Sequence, residues 1–363
     1  MQSYKPVFSV DLRAIQANFT VVRSLLSPAV AVSAVVKSDA YGLGLERVVG
    51  PLWEAGCRSF FVASMEEAIR LRRRLARADI AILEGLRNGS LEAYRERRLT
   101  PVCSTPAEVA AATLAAIPYV LNLETGFGRL GLRFDELRSL LHTNPRVPEL
   151  VMSHLACADD TGNSRNRLQK DRFVGMCALL APSTPRSLAA SAGVFLGADY
   201  HFDRVRTGSA LYGLNNTGLE PNPFKPVVRL SARLIDIRHV QRGEAVGYMG
   251  TFLADRPTVL GIVAIGYRHG LAWQVANRLS AEFAGRSVPV IGRVSMEYCA
   301  IDLTNIPARL ARIGAFVDFI SATAPPENLA RAAATVAQEI LIRTGGACAR
   351  RYRFAPSGQH PWA

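Results

Sequence analysis

Apolar runs of strand length alternate with amphipathic stretches over roughly the first 210 residues. A run at 6–10 predicts a short strand, and Asp11 stands where a helix cap would. Over 12–26, Ile15, Phe19, Val22 and Leu26 recur at helical spacing and share one face. Residues 30–36 are apolar apart from Ser33, which predicts a strand buried on both faces. The alternation continues as helix 45–56, strand 60–64, a helix turning Met65, Ala68, Leu71 and Leu75 inward, strand 80–83, helix 91–97 and strand 100–103. It runs on through helix 106–116, strand 119–123, helix 135–141, strand 149–154, helix 166–180, strand 186–190 and the segment 202–214. About eight such repeats are what a parallel (β/α)8 barrel of the TIM type requires. A doubly wound sheet is the competing architecture.

The pattern breaks at 215–226, where Pro221, Pro223 and Pro226 mark a linker. Beyond it come short strands at 227–239, 245–248, 258–267, 288–294, 298–303 and 317–320, a helix at 327–342 and a basic tail at 350–353. The expected class is α/β: an N-terminal barrel over 1–224, then a mainly-β domain over 225–363. Residues 6–10 are candidates to pair with that second domain.

Composition narrows the function. The 363 residues are 49% hydrophobic and 20% charged, as in a globular enzyme, and no apolar run is long enough to span a membrane. The N-terminus lacks the apolar core of a signal peptide, so the expected location is cytoplasmic. Six cysteines show no C-x-x-C spacing and six histidines no H-x-x-x-H, so neither a disulfide frame nor a metal is expected. A net charge of +13 raises the question of nucleic acid. However, Arg70, Arg72, Arg73, Arg74 and Arg77 fall on the outer face of the 65–75 helix, which reads as a solvated face with no specific nucleic-acid role.

Two local features carry candidate chemistry. Lys37 closes the apolar run 30–36; desolvation there disfavours the ammonium, and a neutral amine can condense with an aldehyde. In isolation such a lysine more often only snorkels. Gly126, Gly128 and Gly131 fit G-x-G-x-x-G after a strand, but a dinucleotide site wants an acid closing the next strand, and that strand ends in His154.

The stretch Ala34-Val35-Val36-Lys37-Ser38-Asp39-Ala40-Tyr41-Gly42-Leu43-Gly44 resembles the lysine motif of the pyridoxal-phosphate-dependent alanine racemase family (fold type III), usually A-V-V-K-A-N-A-Y-G-H-G. The resemblance implies that Lys37 carries pyridoxal 5'-phosphate as a Schiff base, with Tyr41 beside the phosphate. It recurs in order along the chain. Glu124 to Gly131 resembles D-T-G-M-G-R-L-G, which makes Arg129 the contact for the substrate carboxylate and the cofactor's phenolic oxygen. Ser153-His154-Leu155-Ala156 resembles S-H-F-A, which puts His154 beneath the ring, and Ser191 matches a serine donating to the phosphate. Val205 to Gly213 resembles V-R-x-G-x-x-x-Y-G. That match places Arg206 at the ring nitrogen and the N–H groups of Gly208 and Ser209 at the phosphate.

An arginine only donates, so the ring nitrogen it meets stays an unprotonated acceptor and the electron sink is weakened. A weak sink favours prompt reprotonation at the same carbon, hence racemisation. Racemisation takes two bases on opposite faces of Cα. The resemblance of Val246 to Phe252 to V-S-Y-G-A-T-Y implies Tyr248 as the second base beside Lys37. It also implies that Tyr248 reaches the partner subunit's site, so that the active unit is a homodimer. Its phenol is expected to be acidified by cationic His154 and Arg206. Ile265 to Gly270 resembles I-G-Y-A-D-G and Gly292 to Glu297 resembles G-R-V-[CS]-M-D. By these matches Tyr267, Asp159 and Arg293 line the entrance, and the Met296 backbone helps hold the substrate carboxylate.

Beyond Ser38, Asp39 and Leu43 in the lysine motif, three further places depart from the family pattern. Asn122 stands where many members have a lysine bracing the arginine, Glu297 replaces an aspartate, and Gly345-Gly346 fall where a tyrosine commonly narrows the entrance. The implied activity is interconversion of L- and D-alanine, a source of D-alanine for peptidoglycan. The alternatives are a racemase of another amino acid such as serine, a decarboxylase on the same scaffold, and a catalytically silent cofactor-binding homologue.

Overall fold

A computed structural model describes residues 4–86, 90–143 and 146–354. Its contacts divide the chain into two compact units. One comprises Ile15–Ala40 and Leu45–Lys225; the other comprises the first residues to Ala14, Tyr41–Gly44 and the chain from Pro226 onward.

After β1 (Val7–Asp11), the first unit is built on eight parallel strands: β2 (Ala31–Val35), β3 (Ser59–Val62), β4 (Asp79–Ile82), β5 (Thr100–Cys103), β6 (Val120–Asn122), β7 (Leu150–Met152), β8 (Arg186–Ser187) and β9 (Arg204–Thr207). They pair in the order β8-β7-β6-β5-β4-β3-β2-β9. A bridge between Ala190 and Arg206 joins β9 to the chain leaving β8, which closes the ring. Phe61, Ala81, Val102, Val120, Leu150 and Met152 fill the barrel as inward-pointing alternate residues. Outside the strands, Val109, Leu137, Val151 and Phe173 belong to the core under the helices Pro106–Leu114, Phe134–Thr143 and Ser164–Cys177.

Three sequence expectations need revision here. β2 is not buried on both faces: Ala31 is exposed and Val32 and Val35 are half-buried, because the strand enters at the barrel rim. The strand expected at 186–190 keeps only two residues and the Ala190 bridge. The arginines of the helix Met65–Arg74 are not simply solvated. Arg72 donates to the carbonyls of Ala78, Arg97 and Arg98 at 2.6–2.9 Å, and Arg70 grips two carboxylates; Arg73, Arg74 and Arg77 are exposed as expected.

The second unit is a sheet of β10 (Val228–Val240), β13 (Thr258–Val263), β14 (Ser280–Phe283), β15 (Arg286–Ile291), β16 (Cys299–Asp302), β17 (Phe316–Ile320) and β18 (Ala349–Arg353), with a hairpin of β11 (Ala245–Val246) and β12 (Phe252–Leu253). The 13-residue β10 pairs with β17 and β1 through its first half and with β13 through its second. β1 lies antiparallel to β10 and parallel to β18. Residues 350–353, expected as a basic tail, are therefore strand. The helix expected at 327–342 is two helices, Pro326–Ala332 and Ala337–Ala347. The break follows from Ala334, whose φ of 53° cannot continue a right-handed helix.

The two adjacent glycines near the end of the last helix have different surroundings. A Cβ on Gly345 would sit 2.2 Å from the Gly42 carbonyl oxygen, whereas one on Gly346 would have nothing within 4 Å. Gly345→Ala is expected to destabilise the protein by about 1–3 kcal/mol through overpacking. Gly346→Ala is expected to stabilise it by roughly 0.5–1 kcal/mol, since alanine loses less backbone entropy in a helix. Denaturant midpoints of the two variants check this, and equal shifts would refute it.

Candidate active site

Lys37 follows β2, and the next four residues all have left-handed backbones: Ser38, Asp39, Ala40 and Tyr41 at φ 54–56°. None is glycine, so the turn costs on the order of 4–8 kcal/mol at about 1–2 per residue. Charge-assisted hydrogen bonds, worth roughly 1.5–3 kcal/mol each, offset it. The Asp39 N–H donates to Glu67 Oε1 at 2.8 Å, and the Asp39 carboxylate accepts from the Leu45 N–H at 3.0 Å and Arg70 Nη2 at 2.8 Å. Arg70 also holds Glu46 through two nitrogens at 2.6 and 2.7 Å. Asp39, which departs from the family asparagine, thus uses its charge. Burial lowers the Lys37 pKa and Arg129 lowers it further, while Glu67 acts the other way. Burial pushes the Tyr41 phenol up to about 12.

The loop after β6 curls around its own carboxylate. Glu124 accepts from the N–H groups of Gly126, Gly128 and Arg129 at 2.5–3.3 Å. Burial would raise the Glu124 pKa, but these donors hold it below the ordinary value. The glycine pattern here thus makes an anion nest already filled by a side chain, which gives the physical reason it does not cradle a dinucleotide. Arg129 lies over the Phe127 ring at 4.3 Å, and that ring stands 5.4 Å from His154. Asn122 does not brace Arg129; its amide donates to Ser104 Oγ and the Leu130 carbonyl. Arg129 has no carboxylate partner among the described residues.

His154 follows β7. Burial, with Arg206, Arg129 and Lys37 nearby, brings it from an ordinary 6.5 down to about 3. It is a neutral imidazole near pH 7, contrary to the cationic role expected for it, and the positive charge here belongs to Arg206 and Arg129. Arg206, 4% exposed, donates from Nη1 to the Ser187 carbonyl at 2.8 Å and from Nη2 to the Ser153 carbonyl at 2.5 Å. Burial, then Arg204, lowers its pKa to about 10, which still leaves it cationic. Its Nε–H has no acceptor among the described residues. Ser191 Oγ accepts from the Gly208 and Ala210 N–H groups at 2.9 and 3.2 Å and meets Thr207 Oγ1 at 3.2 Å. Gly208, expected to donate to a phosphate, is occupied by Ser191; the Ser209 N–H has no acceptor among the described residues.

Sequence reasoning missed Gln169, which is 2% exposed. Its amide donates to the His154 carbonyl at 3.0 Å and accepts from the Ala156 N–H at 2.8 Å, which fixes the loop carrying His154. Its only sequence signal was a polar residue on the inner face of a helix. Glu67, discussed below, was missed because it sat in a run of charges.

Lys37, Arg129, His154, Ser191, Arg206, Gly208 and Ser209 all belong to the barrel unit, as does exposed Asp159. Tyr41, Tyr248, Tyr267, Arg293 and Met296 belong to the other. Tyr248 is 64% exposed on the turn Tyr248–Gly250. The Tyr267 and Arg268 N–H groups donate to the Ser295 and Met296 carbonyls at 3.0 and 3.1 Å, which locks the two motif loops together. Glu297, in place of the usual aspartate, accepts from Arg268 at 2.7 Å. Arg293 stacks on Trp273 at 4.2 Å.

Two family patterns match in order: "Alanine racemase, N-terminal domain" over residues 10–216 and "Alanine racemase, C-terminal domain" over 227–352. The chain is 49% identical to "Alanine racemase 3" of Mesorhizobium japonicum over 95% of this chain and 90% of that one. It is 46% identical to the same organism's "Alanine racemase, biosynthetic" over 98% and 91%. The crystal structure of alanine racemase from Bartonella henselae with covalently bound pyridoxal phosphate superposes with a TM-score of 0.91 at 33% identity, covering 97% of this chain and all of that one. That likeness extends to the barrel of eight parallel strands and the mainly-β domain that follows it. With both patterns in sequence and relatives aligned from end to end, the chain belongs to the alanine racemase family.

Proposed function

We propose that the protein is a pyridoxal-phosphate-dependent alanine racemase that uses Lys37 and Tyr248 of the partner subunit as its two bases. The observation that carries the reading is Arg206: buried, anchored by two carbonyls and the Ser187 hydroxyl, and left with its Nε–H to donate. The donor set fits the cofactor. Lys37 offers an amine with a lowered pKa, the Ser209 N–H and Ser191 hydroxyl suit a phosphate, and Arg206 suits an unprotonated ring nitrogen. When bound, pyridoxal phosphate supplies an aldehyde that condenses with amines and a ring that takes up the electron pair left at Cα.

The chain's residues then have separate tasks. Lys37, whose pKa burial and Arg129 lower, can take a proton from one face of Cα. Arg206 donates a hydrogen bond but keeps its proton, so it orients the ring without strengthening its pull on electrons. Arg129 offers a guanidinium fork to a carboxylate. Neutral His154 adds no charge beneath the ring. On the second unit, Tyr248, Met249, Leu253, Met296 and Tyr298 are exposed at 48–86%. A second copy of the chain would cover these side chains and bring Tyr248 to the opposite face of Cα. Free cysteines suit a reducing compartment, and we place the enzyme in the cytoplasm. Among the described residues no helix is long and apolar enough to cross a membrane.

A second reading, a racemase of a larger amino acid, rests on Gly345-Gly346 standing where the family commonly has a tyrosine that narrows the entrance. Incubating the protein with pyridoxal phosphate and single L-amino acids in deuterated water separates the two. Rotation of alanine decaying to zero with deuterium at Cα is the expected result. Decay only for a bulkier amino acid would favour the second reading. Release of carbon dioxide, or cofactor binding without exchange, would overturn both.

A further inference from the structure

We propose that Glu67 is a positioning residue for Lys37: its carboxylate clamps the left-handed turn after Lys37 to the end of β3 and sets an anion beside the amine. One oxygen accepts from the Asp39 N–H at 2.8 Å and the other from the Ala63 N–H at 2.9 Å. Ala63 directly follows β3, the strand hydrogen-bonded to β2, so one carboxylate ties the Lys37 turn to the neighbouring strand. Glu67 is itself fixed: its N–H donates to Ser64 Oγ at 3.3 Å at the start of the helix Met65–Arg74. Three residues along that helix, Arg70 takes the other side of the turn through the Asp39 carboxylate. A single helix thus grips both polar groups of Asp39.

The consequence is electrostatic as well as mechanical. The groups acting on the Lys37 amine are Glu67 from this helix and Arg129 from the loop after β6. Lys37 and Arg129 also act on His154, which follows β7, and so does Arg206 from β9. Of these, Glu67 is the anion. It opposes the combined effect of burial and Arg129, so the amine keeps an affinity for the proton it must carry as well as release. An amine stripped of that affinity would attack readily but would be a poor base.

This inference rests on Lys37 being the cofactor lysine, but its test does not use turnover. In the unsubstituted full chain without cofactor, hydrogen exchange at the Asp39 and Ala63 amides should be slow; fast exchange at both overturns the clamp. The pH dependence of Lys37 modification by an amine-reactive reagent, read by mass spectrometry, gives the protonation midpoint. Glu67→Gln should move that midpoint to lower pH and speed Asp39 amide exchange by at least about tenfold. Glu67→Asp, which keeps the charge, should hold the midpoint closer to the unsubstituted value. An unmoved midpoint in folded Glu67→Gln overturns the proposal. Failure of pyridoxal phosphate to attach at Lys37 would instead refute the cofactor reading and leave both measurements standing.

Discussion

Tyr248→Phe is expected to lower racemisation by about 10²–10⁴-fold, the usual contribution of a positioned acid–base group. The side chain is 64% exposed within its own unit, so removing one hydroxyl should leave the fold and the absorbance of the Lys37-bound cofactor unchanged. Exchange at Cα should persist for the enantiomer whose proton Lys37 removes, because that face keeps its base. Measuring turnover and deuterium incorporation from each enantiomer distinguishes loss of one base from loss of binding. Unchanged turnover would remove Tyr248 from the mechanism.

Arg206→Leu should act on stability and on a neighbouring titration together. The Ser153 carbonyl would lose its donor, at a cost of about 1–3 kcal/mol, while the Ser187 carbonyl keeps the Ser153 N–H. His154 would lose one of the cations that hold its pKa near 3, so its ring should titrate at higher pH in an NMR series. The sign of the linked stability follows. Between an ordinary 6.5 and about 3 the unfolded histidine binds a proton that the folded one does not, so the unsubstituted protein loses stability as pH falls through that window. The variant should lose less over the same range. An unchanged His154 titration would mean that burial alone sets it.

The barrel was legible because its strands and helices alternate with different periods, a pattern that short loops cannot disguise. Two kinds of feature were not. β18 reads as a basic tail because its partner, β1, is at the other end of the chain, and pairing that distant leaves no local signal. The helix break at 333–336 was hidden because Ala333 and Ala334 are strong helix formers, and Ala334 adopts its positive φ only in the folded context. For the site, the resemblance pointed to residues with family motifs around them. Glu67 and Gln169 were not, because their function is to receive and give hydrogen bonds to backbone groups that the sequence does not display. His154 was located by resemblance but given the wrong charge. Its protonation is set first by burial and then by Arg206, Arg129 and Lys37, which come from other parts of the barrel.

The parallel pairing of β1 with β18 imposes an order on biogenesis. Val7 lies opposite Ala349, so one edge of β1 stays unpaired until β18 has been made. At about 5–20 residues per second that interval is roughly twenty seconds to a minute. All eight barrel strands are complete by Thr207 and β10 by Val240, so the barrel can close and β1 can pair with β10 while its other edge stays open. Nascent chains stalled between residues 240 and 349 should therefore carry an assembled barrel and a β1 with one edge open to pairing with other chains.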